Sequence, residues 1–365
     1  MKDVQMPELR IGNLTMTLPV IQGGMGVGVS LSRLASSVAK EGGIGVIAAA
    51  GIGMLEPDFN TNSREANKRA LRKEIRKARE ETTGVIGVNI MVALSDYDAL
   101  SEVAMEEGAD IIFMGAGLPL KIGQRIIESS KEGKIKICPI VSSGRAARII
   151  FQYWARHYNH VPAAVVVEGP LAGGHLGFKK EQLTDPDFAL DRLIEEVLPV
   201  IRSYEEEFGQ KIPVIAAGGI FTGEDIHRVL ELGASGVQMA TRFVATAECD
   251  ASDEFKESYI KCRKEDIVII DSPVGLPGRA IKNSFLADVS RGEKKPFQCP
   301  WKCLKTCDYH KVPYCIALAL TNAKNGKLNE GFAFCGQNAY RIDSIGTVPE
   351  VISALKKEYA AASQQ

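Results

Sequence analysis

The sequence has almost no excess of charge of either sign. Its 365 residues carry 44 lysines and arginines against 45 aspartates and glutamates, which gives a formal net charge of −1. The densest basic run, residues 64–80, is interleaved with glutamates, as is typical of a solvated helix face. A nucleic-acid-binding surface needs clustered positive charge, so we expect no nucleic acid as a partner.

The sequence also lacks an apolar run long enough to cross a bilayer. Its longest uncharged apolar stretch, residues 42–55, is shorter than a membrane helix and rich in glycine. The first ten residues, MKDVQMPELR, contain no apolar segment of the kind that secretory signals carry. We therefore expect a cytoplasmic protein with no membrane partner, and we expect its eight cysteines to be reduced.

Short β-branched runs alternate with amphipathic segments, a pattern typical of βα units around a parallel sheet. The predicted strands are residues 18–24, 45–51, 85–92, 110–117, 136–143, 163–169, 212–219 and 236–243. Polar residues and glycines fall at the carboxyl ends of these strands, where α/β barrels build their sites. They are Gln22, Gly23, Asn89, Gly115, Ser142, Glu168, Gly218 and Gln238. We predict an α/β fold, a TIM-type (β/α)8 barrel over residues 1–244, with an open doubly wound sheet as the alternative.

The alternation of strands and helices ends after residue 244. Residues 271–283, DSPVGLPGRAIKN, are rich in proline and glycine and are predicted to form a loop. A cysteine-rich segment, residues 299–315, comes next, and residues 348–360 have the pattern of an amphipathic helix. We predict that residues 245–365 form a C-terminal extension packed on the barrel.

Two segments near the end of the predicted barrel have the composition of a phosphate site. Residues 216–226, AAGGIFTGEDI, follow the seventh strand and open a helix, with Thr222 as the predicted N-cap. Glycines let backbone N–H groups approach phosphate oxygens, and a helix N-terminus adds partial positive charge. The eighth strand, residues 236–243, lies beside them, and this pair of loops is the usual phosphate site of such barrels. The alternative is that Gly218 and Gly219 only make a tight turn.

The ends of the first and third strands suit a flat heterocyclic ring. Residues 21–26, IQGGMG, combine an amide with glycines that allow close backbone approach, and Asn89 offers both a donor and an acceptor. A flavin ring presents such an edge, and hydrogen bonds to its nitrogens tune it. Without these neighbours, residues 23–26 would predict only a flexible turn. No GxGxxG-plus-acid fingerprint occurs in a strand–helix context, so NAD(P)H is expected only as a reductant that binds transiently over the flavin.

Taken together, the motifs QGGMG, GVNIM, VVEGPLAGGHLGF, AAGGI and GVQMATRF resemble the nitronate monooxygenase family, formerly called 2-nitropropane dioxygenase, which includes flavin-dependent enoyl-ACP reductases. The match covers residues 18 to about 243, and residues 336–341, GQNAYR, resemble a further family segment near the flavin. The resemblance implies a barrel that binds FMN non-covalently at its carboxyl-terminal mouth. The residues that it places around the flavin ring are Gln22, Gly23, Gly24, Met25, Asn89, Gly173 and Gly174. Those that it places at the ribityl phosphate are Gly218, Gly219, Gln238, Met239, Ala240 and Thr241.

His175 matches the family histidine that faces the substrate beside the flavin, and it is the predicted catalytic residue. A neutral imidazole there would deprotonate a nitroalkane, or the side chain would orient the oxygens of a nitronate. The alternative is a histidine that caps a loop carbonyl. Glu168 is predicted to bind a ribityl hydroxyl or a loop amide, and a purely structural role is its alternative. Many family members have EAGGH where this chain has Pro170 and Leu171, a departure that would reshape the substrate side.

Five of the eight cysteines fall between residues 299 and 335. Cys299, Cys303 and Cys307 recur at intervals of four, and Cys315 follows. On a helix such residues share a face, so their thiolates would converge on zinc or an iron–sulfur cluster. The spacing is neither of the usual CxxC types, however. Buried, unligated cysteines are therefore the preferred interpretation, and no metal is predicted.

The sequence thus predicts an FMN-dependent nitronate monooxygenase that oxidises alkyl nitronates with O2. An FMN-dependent reductase of an enoyl-ACP or a quinone, supplied by NAD(P)H, would use the same cofactor residues and is the first alternative. A non-redox barrel that binds a phosphate-bearing ligand is the second alternative. The expected partners are a small-molecule substrate and O2, and a homodimer stays open as the assembly.

Overall fold

The computed structural model describes residues 5–364 as thirteen strands and twelve α-helices joined by loops and short 3-10 turns. The strands are β1 Leu9–Ile11, β2 Leu14–Met16, β3 Val20–Gln22, β4 Gly45–Ala48, β5 Ile86–Met91, β6 Ile111–Gly115, β7 Lys136–Val141, β8 Val165–Glu168, β9 Gly174–His175, β10 Val214–Ala217, β11 Gly236–Met239, β12 Ile267–Asp271 and β13 Pro277–Ile281. The helices are α1 Ser32–Lys40, α2 Phe59–Glu81, α3 Tyr97–Glu106, α4 Gln124–Lys131, α5 Gly144–Tyr158, α6 Leu190–Phe208, α7 Gly223–Glu231, α8 Thr241–Val244, α9 Asp253–Ile260, α10 Ser284–Ser290, α11 Ile316–Lys324 and α12 Val348–Ala362. Within residues 5–364, no helix combines the length and the apolar character needed to cross a bilayer.

Eight of the strands form one parallel sheet that closes into a barrel. Their order is β3-β11-β10-β8-β7-β6-β5-β4, and β3 meets β4 through a parallel bridge between Ile21 and Ile44. Two backbone hydrogen bonds make this closure: the Gln22 N–H donates to the Ile44 carbonyl at 2.9 Å, and the Ile44 N–H donates to the Val20 carbonyl at 3.0 Å. The predicted TIM-type barrel is confirmed, and each barrel strand lies within its predicted range.

Apolar side chains fill the barrel interior, because both faces of a parallel sheet surrounded by helices are covered. Phe113 is the largest member of the interior cluster and is fully buried. Leu9, Ile11 and Met16 of the antiparallel β1–β2 hairpin belong to the same cluster, so the hairpin covers the amino-terminal end of the barrel. The opening that remains is at the carboxyl ends of the strands.

The C-terminal segment contributes a strand to a sheet that it shares with the loop after β8. In the antiparallel sheet β12-β13-β9, Gly278 pairs with His175 and Arg279 pairs with Gly174. Two consecutive residues of the predicted site are therefore held by backbone pairing to a segment about a hundred residues later in the chain.

The prediction of a loop over residues 271–283 is wrong for β13, Pro277–Ile281. Proline and glycine argue against a strand in a local pattern, but Pro277 is the first residue of β13, where its missing N–H is tolerated. The strand pairs with β12, which precedes it in a hairpin, and with the distant strand β9, which a local pattern does not reveal.

The predicted terminal helix is confirmed as α12, which packs on α7. A Cβ atom at Gly223 would collide with the backbone of α12, so only glycine allows this close packing. The Gly223 N–H donates to the Glu358 carboxylate at 2.7 Å, which joins the end of the chain to the edge of the predicted phosphate site.

The helical interpretation of the cysteine spacing is wrong, because residues 299–315 contain no helix. Pro300 and Pro313 lie in this segment, and a proline lacks the N–H that a helix interior needs. The segment instead turns repeatedly and is held to the barrel by the Ser95 N–H, which donates to the Cys303 carbonyl at 3.0 Å.

Candidate active site

A cavity of about 380 Å³ lies at the carboxyl ends of the barrel strands, a volume typical of small-molecule sites. The loops that follow the strands and parts of the C-terminal segment form its wall. The predicted site residues in this wall are Gly23, Gly24, Met25, Asn89, Glu168, Gly173, Gly174, His175, Gly218, Gly219, Gln238, Met239, Ala240 and Thr241. The structure therefore brings together all of the predicted site residues except Gln22.

Gln22 lies behind the cavity wall. Its side chain is fully buried, with Nε2 donating to the Gly23 carbonyl at 2.6 Å and Oε1 accepting from the Val46 N–H at 3.0 Å. Both ends of the amide are thus paired with backbone groups of the protein. Gln22 fixes the path of the chain that brings Gly23 to the cavity, and its contact with a flavin stays a prediction.

Two of the glycines are needed for close packing within the protein. A Cβ atom at Gly24 would lie 2.5 Å from Cβ of Asn89, so glycine lets the loop after β3 lie against this asparagine. A Cβ atom at Gly173 would lie 2.6 Å from the carbonyl carbon of Cys335. The absence of a side chain at Gly173 therefore admits the C-terminal segment, whereas the sequence predicted that it admits the cofactor.

The predicted N-cap of α7 is confirmed. Thr222 accepts a hydrogen bond from the Asp225 N–H, and the Asp225 carboxylate accepts one from the Thr222 N–H at 2.9 Å, which completes a capping box. The same carboxylate also accepts from the Phe221 N–H at 2.9 Å. These two N–H groups at the start of α7 are consequently already paired with an anionic side chain.

The N–H groups that remain for a phosphate lie just before the helix. The Gly223 N–H is taken by Glu358, so the expected donation from the N-terminus of α7 itself is largely used within the protein. The N–H groups of Gly219 and Ile220 make no hydrogen bond to any residue that the structure describes. Both residues line the cavity, and they are the donors that this loop offers to an anion.

The cavity wall carries little charge. Among the described residues that form it, there is no lysine or arginine, and the titratable side chains are Glu168, His175, Tyr259, Cys303 and Cys335. An anionic group bound in this cavity would depend on backbone N–H donors, because no cationic side chain faces it.

His175 is held in the wall by contacts from the C-terminal segment. Its Nε2 shares a 2.6 Å hydrogen bond with Oγ of Ser272, and its ring meets the Phe334 ring edge-on with centroids 4.9 Å apart. Burial lowers the pKa of His175 to about 4, because transfer out of water disfavours the charged imidazolium. The imidazole is therefore neutral at physiological pH.

Glu168 ends β8 and faces the same cavity. Burial raises the pKa of this carboxyl to about 7, with no nearby cation or hydrogen-bond donor to offset the loss of hydration. A carboxyl with this pKa can donate a hydrogen bond in its protonated form and accept a proton in its ionised form at neutral pH.

The sequence did not predict three residues that shape the site: Ser272, Phe334 and Arg279. The Arg279 side chain is 3% exposed, and its Nη1 donates to the carbonyls of Pro170, at 2.7 Å, and Ala172. It therefore fixes the glycine-rich loop after β8 from behind. A cationic residue in the otherwise apolar run GRAI of β13 was the signal available in the sequence.

Part of the segment 336–341 lies in the cavity wall, and its nearness to a flavin stays a prediction. Gly336, Gln337 and Asn338 line the cavity, and Nδ2 of Asn338 donates to the Gly219 carbonyl at 2.7 Å. The C-terminal segment thus reaches the glycine turn after β10 as well as the loop after β8.

Comparison with known proteins identifies a matching family and several relatives. A family model described as nitronate monooxygenase matches residues 8–358. A probable nitronate monooxygenase of Staphylococcus aureus is 27% identical over 309 residues, which cover 77% of this chain and 79% of the relative. The (3aS,4S,5R,7aS)-5-hydroxy-7a-methyl-1-oxo-octahydro-1H-indene-4-carboxyl-CoA dehydrogenase of Mycobacterium tuberculosis is 29% identical over 276 residues, 76% of this chain but only 66% of that enzyme.

Solved structures share the complete fold. FabK from Thermotoga maritima superposes with a TM-score of 0.73 at 29% identity, covering 96% of this chain and 94% of its own. Nitroalkane oxidase from Streptomyces ansochromogenes gives a TM-score of 0.72 at 22% identity, over 96% and 97% of the two chains. The second likeness concerns the fold alone.

Proposed function

Since the chain belongs to the nitronate monooxygenase family and is a flavin-dependent oxidoreductase, we propose that it uses FMN to oxidise alkyl nitronates with O2. One observation carries the proposal: a histidine that is neutral at physiological pH lies in the wall of a cavity edged by glycine backbone. Such a site offers a proton acceptor and a hydrogen-bond donor next to space for a flat ring.

The residues in the wall fit FMN. Gly23 and Gly24 expose backbone at one side of the cavity, with the Asn89 amide beside them as a donor and acceptor for ring heteroatoms. The unpaired N–H groups of Gly219 and Ile220 suit the phosphate. When bound, FMN would supply the electron acceptor for nitronate oxidation.

His175 would act on the substrate as a neutral imidazole. A neutral imidazole accepts the α-proton of a nitroalkane, which converts it into the nitronate. Toward a nitronate that arrives already ionised, the imidazole N–H would donate a hydrogen bond to an oxygen of the nitro group. The Ser272 hydroxyl engages Nε2, so Nδ1 is the ring nitrogen left for the substrate.

Glu168 would adjust the charge of the cavity. With a pKa of about 7, its carboxyl is partly protonated at neutral pH. In that form it donates a hydrogen bond and adds no negative charge opposite an anionic substrate. The proposal therefore assigns the protonated carboxyl to nitronate binding.

A second candidate is an NAD(P)H-supplied reductase of an enoyl thioester. It is favoured by the outer part of the cavity, which is apolar and has no cation. The residues there are Met54, Phe59, Met91, Leu94, Trp301, Leu304, Ile316 and Leu320. An acyl chain would be buried well by such a surface, and the likeness to the enoyl-ACP reductase FabK at 29% identity agrees with it.

The two candidates differ in what reduces the flavin. The purified protein is mixed anaerobically with propyl-2-nitronate, or with NADH or NADPH, and the flavin absorbance is recorded, followed by O2 uptake in air. Bleaching by the nitronate with O2 consumption supports the monooxygenase. Rapid bleaching by a nicotinamide, with no response to the nitronate, would replace it with the reductase. A protein that neither contains nor binds flavin would contradict both.

A further inference from the structure

Four cysteines of the C-terminal segment line one small cavity, which we call the tail cavity. Its volume is about 20 Å³, and its wall includes the thiol-bearing residues Cys299, Cys303, Cys307 and Cys315. All four are free thiols. Residues spread over seventeen positions of irregular chain therefore present four sulfur atoms to the same space.

Turns of an irregular segment bring these cysteines together, since residues 299–315 contain no helix. Lys302, between Cys299 and Cys303, has a left-handed φ of 45°. A non-glycine residue rarely adopts this conformation, because its Cβ atom crowds the neighbouring carbonyl oxygen. Apolar and aromatic side chains, among them Leu304 and Tyr314, complete the wall of the tail cavity.

Three of the four thiols differ from ordinary buried cysteines. Cys138 and Cys249 are fully buried in the barrel and its surroundings, where a cysteine packs as a small apolar residue. Cys315 is buried as well, but Cys299, Cys303 and Cys307 are only partly buried. Core packing therefore explains the buried cysteines and leaves these three unexplained.

The four cysteines are neighbours in space, because all of them line the same cavity of about 20 Å³. Four thiolates gathered around one cavity would repel one another unless a cation stood among them. Binding of a metal removes the thiol protons and neutralises the thiolates, so folding of such a segment and metal binding support each other.

The type of ligand suits a cluster, since all four side chains are thiols. Among residues 5–364, no group of three or more cysteine, histidine or acidic side chains is placed to hold a single metal ion. An iron–sulfur cluster distributes its four thiolate ligands over several iron atoms, so the sulfurs surround a larger group and need not meet at a point.

We propose that the four cysteines of the tail cavity bind an iron–sulfur cluster. Assembly takes two ferrous ions, two ferric ions and four sulfide ions from solution, so the [4Fe–4S]2+ state forms without a net change of oxidation state, and each of the four thiols releases its proton as its sulfur bonds to iron. Cys303 also lines the main cavity, so the cluster would lie directly against the wall of the candidate active site. The assignment does not depend on which substrate that site oxidises or reduces.

The test uses the full chain, produced with added iron and purified without oxygen. Iron, acid-labile sulfide and zinc are measured per chain, before and after anaerobic incubation with equal amounts of ferrous and ferric iron and with sulfide. The electron paramagnetic resonance spectrum is recorded after reduction with dithionite. We expect roughly four iron and four sulfide per chain, as in a Cys₄-bound [4Fe–4S] cluster, and a signal from the reduced cluster.

Two single substitutions test the ligands against a matched control. Cys307→Ser and Cys299→Ser change partly exposed residues and should lower the iron content more than twofold. Cys262→Ser is the control, because this thiol donates to the neighbouring Arg263 carbonyl at 3.4 Å and lies outside the tail cavity. Far-UV circular dichroism and a melting curve establish that each variant is folded.

Three results would overturn the proposal. They are a chain that takes up no iron even after reconstitution, a chain that holds one zinc and no iron, and equal iron loss in Cys262→Ser and Cys307→Ser. The expected result supports it: iron and sulfide in equal amounts, lost only when a cysteine of the tail cavity is replaced.

Discussion

Nε2 of His175 and Oγ of Ser272 lie 2.6 Å apart, although 97 positions separate the two residues in the chain. The bond joins the loop after β8 to the connection between β12 and β13. Because Phe334 also packs edge-on against the imidazole, two of the contacts that orient His175 come from the C-terminal segment. The predicted catalytic residue belongs to the barrel loop, but its orientation is determined by residues beyond position 244.

Replacement of Ser272 by alanine removes this hydrogen bond without adding volume. A net hydrogen bond contributes about 1 kcal/mol, so we expect kcat to fall roughly fivefold to tenfold while flavin content stays unchanged. The measurement is kcat with the better of the two substrate classes, together with the flavin absorbance per chain. Ser272→Thr retains the hydroxyl and should recover most of kcat.

Ser344→Ala is the control for this prediction, since Ser344 is exposed and bonds only its neighbour Asp343. Wild-type kcat in Ser272→Ala, or an equal loss in Ser344→Ala, would show that the hydroxyl does not position His175.

Replacement of His175 by asparagine should lower kcat/KM for a neutral nitroalkane by roughly a hundredfold to ten-thousandfold, with flavin still bound. The pKa of about 4 is below the ordinary value because of burial, so the required neutral imidazole persists as the pH falls from 7 toward 4. The wild-type pH profile should therefore show no loss near pH 6.5 that depends on His175. An acid limb at pH 6.5 that disappears in His175→Asn would mean that the imidazole is not desolvated.

Glu168→Gln should stabilise the protein at high pH. Burial raises the pKa of Glu168 in the folded state to about 7 from an ordinary 4.5, so the unfolded chain loses this proton at lower pH than the folded chain does. Its contribution to the free energy of unfolding is present in full below pH 4.5 and is lost as the pH rises to about 7. The variant has no such proton. We expect its stability relative to wild type to rise by about 3 kcal/mol across this window and then to level off.

Chemical denaturation of both proteins, freed of flavin, at several pH values between 4 and 8.5 measures this difference. A constant difference at every pH would show that the carboxyl is ionised normally in the folded state. Glu358→Gln is a poor control because of its bond to Gly223, whereas the exposed Glu132→Gln leaves the site untouched.

The barrel could be predicted because its signals are local. Each β-branched run that ends in a glycine or polar residue marks one strand and its carboxyl end, and in a closed parallel barrel all such ends meet. Asn89 and Gly218 were therefore placed in one cavity from the chain alone. Gln22 fits the same pattern, but its amide is already paired with the Gly23 carbonyl and the Val46 N–H, which the sequence does not reveal.

What could not be predicted depends on contacts between distant segments. Arg279 lies in a proline- and glycine-rich stretch, and only its pairing with Gly174 places it behind the loop after β8. Likewise, the spacing of Cys299 and Cys303 suggested a helix face, whereas the thiols meet through turns of an irregular segment. Neither Arg279 nor the irregular cysteine segment has a periodic pattern in the sequence from which its position could be predicted.

Gly218→Ala tests the glycine edge of the candidate flavin site. Gly218 has a φ of +91°, and a Cβ atom there would lie 2.7 Å from the Gly169 carbonyl oxygen and 3.0 Å from its nitrogen. Since backbone cannot yield as a flexible side chain does, the loops after β8 and β10 must separate. We expect the FMN dissociation constant to rise at least tenfold, measured by fluorescence quenching of added FMN.

Gly292→Ala is the matched control, because Gly292 has a similar φ of +87° but no atom within 4 Å of the added Cβ. It carries the same backbone strain, roughly 1–2 kcal/mol, without the collision. We expect Gly292→Ala to lose stability but to keep its FMN, and Gly218→Ala to lose FMN. That result would assign the effect to the close approach of the two loops. Equal FMN affinity in both variants would remove Gly218 from the cofactor site.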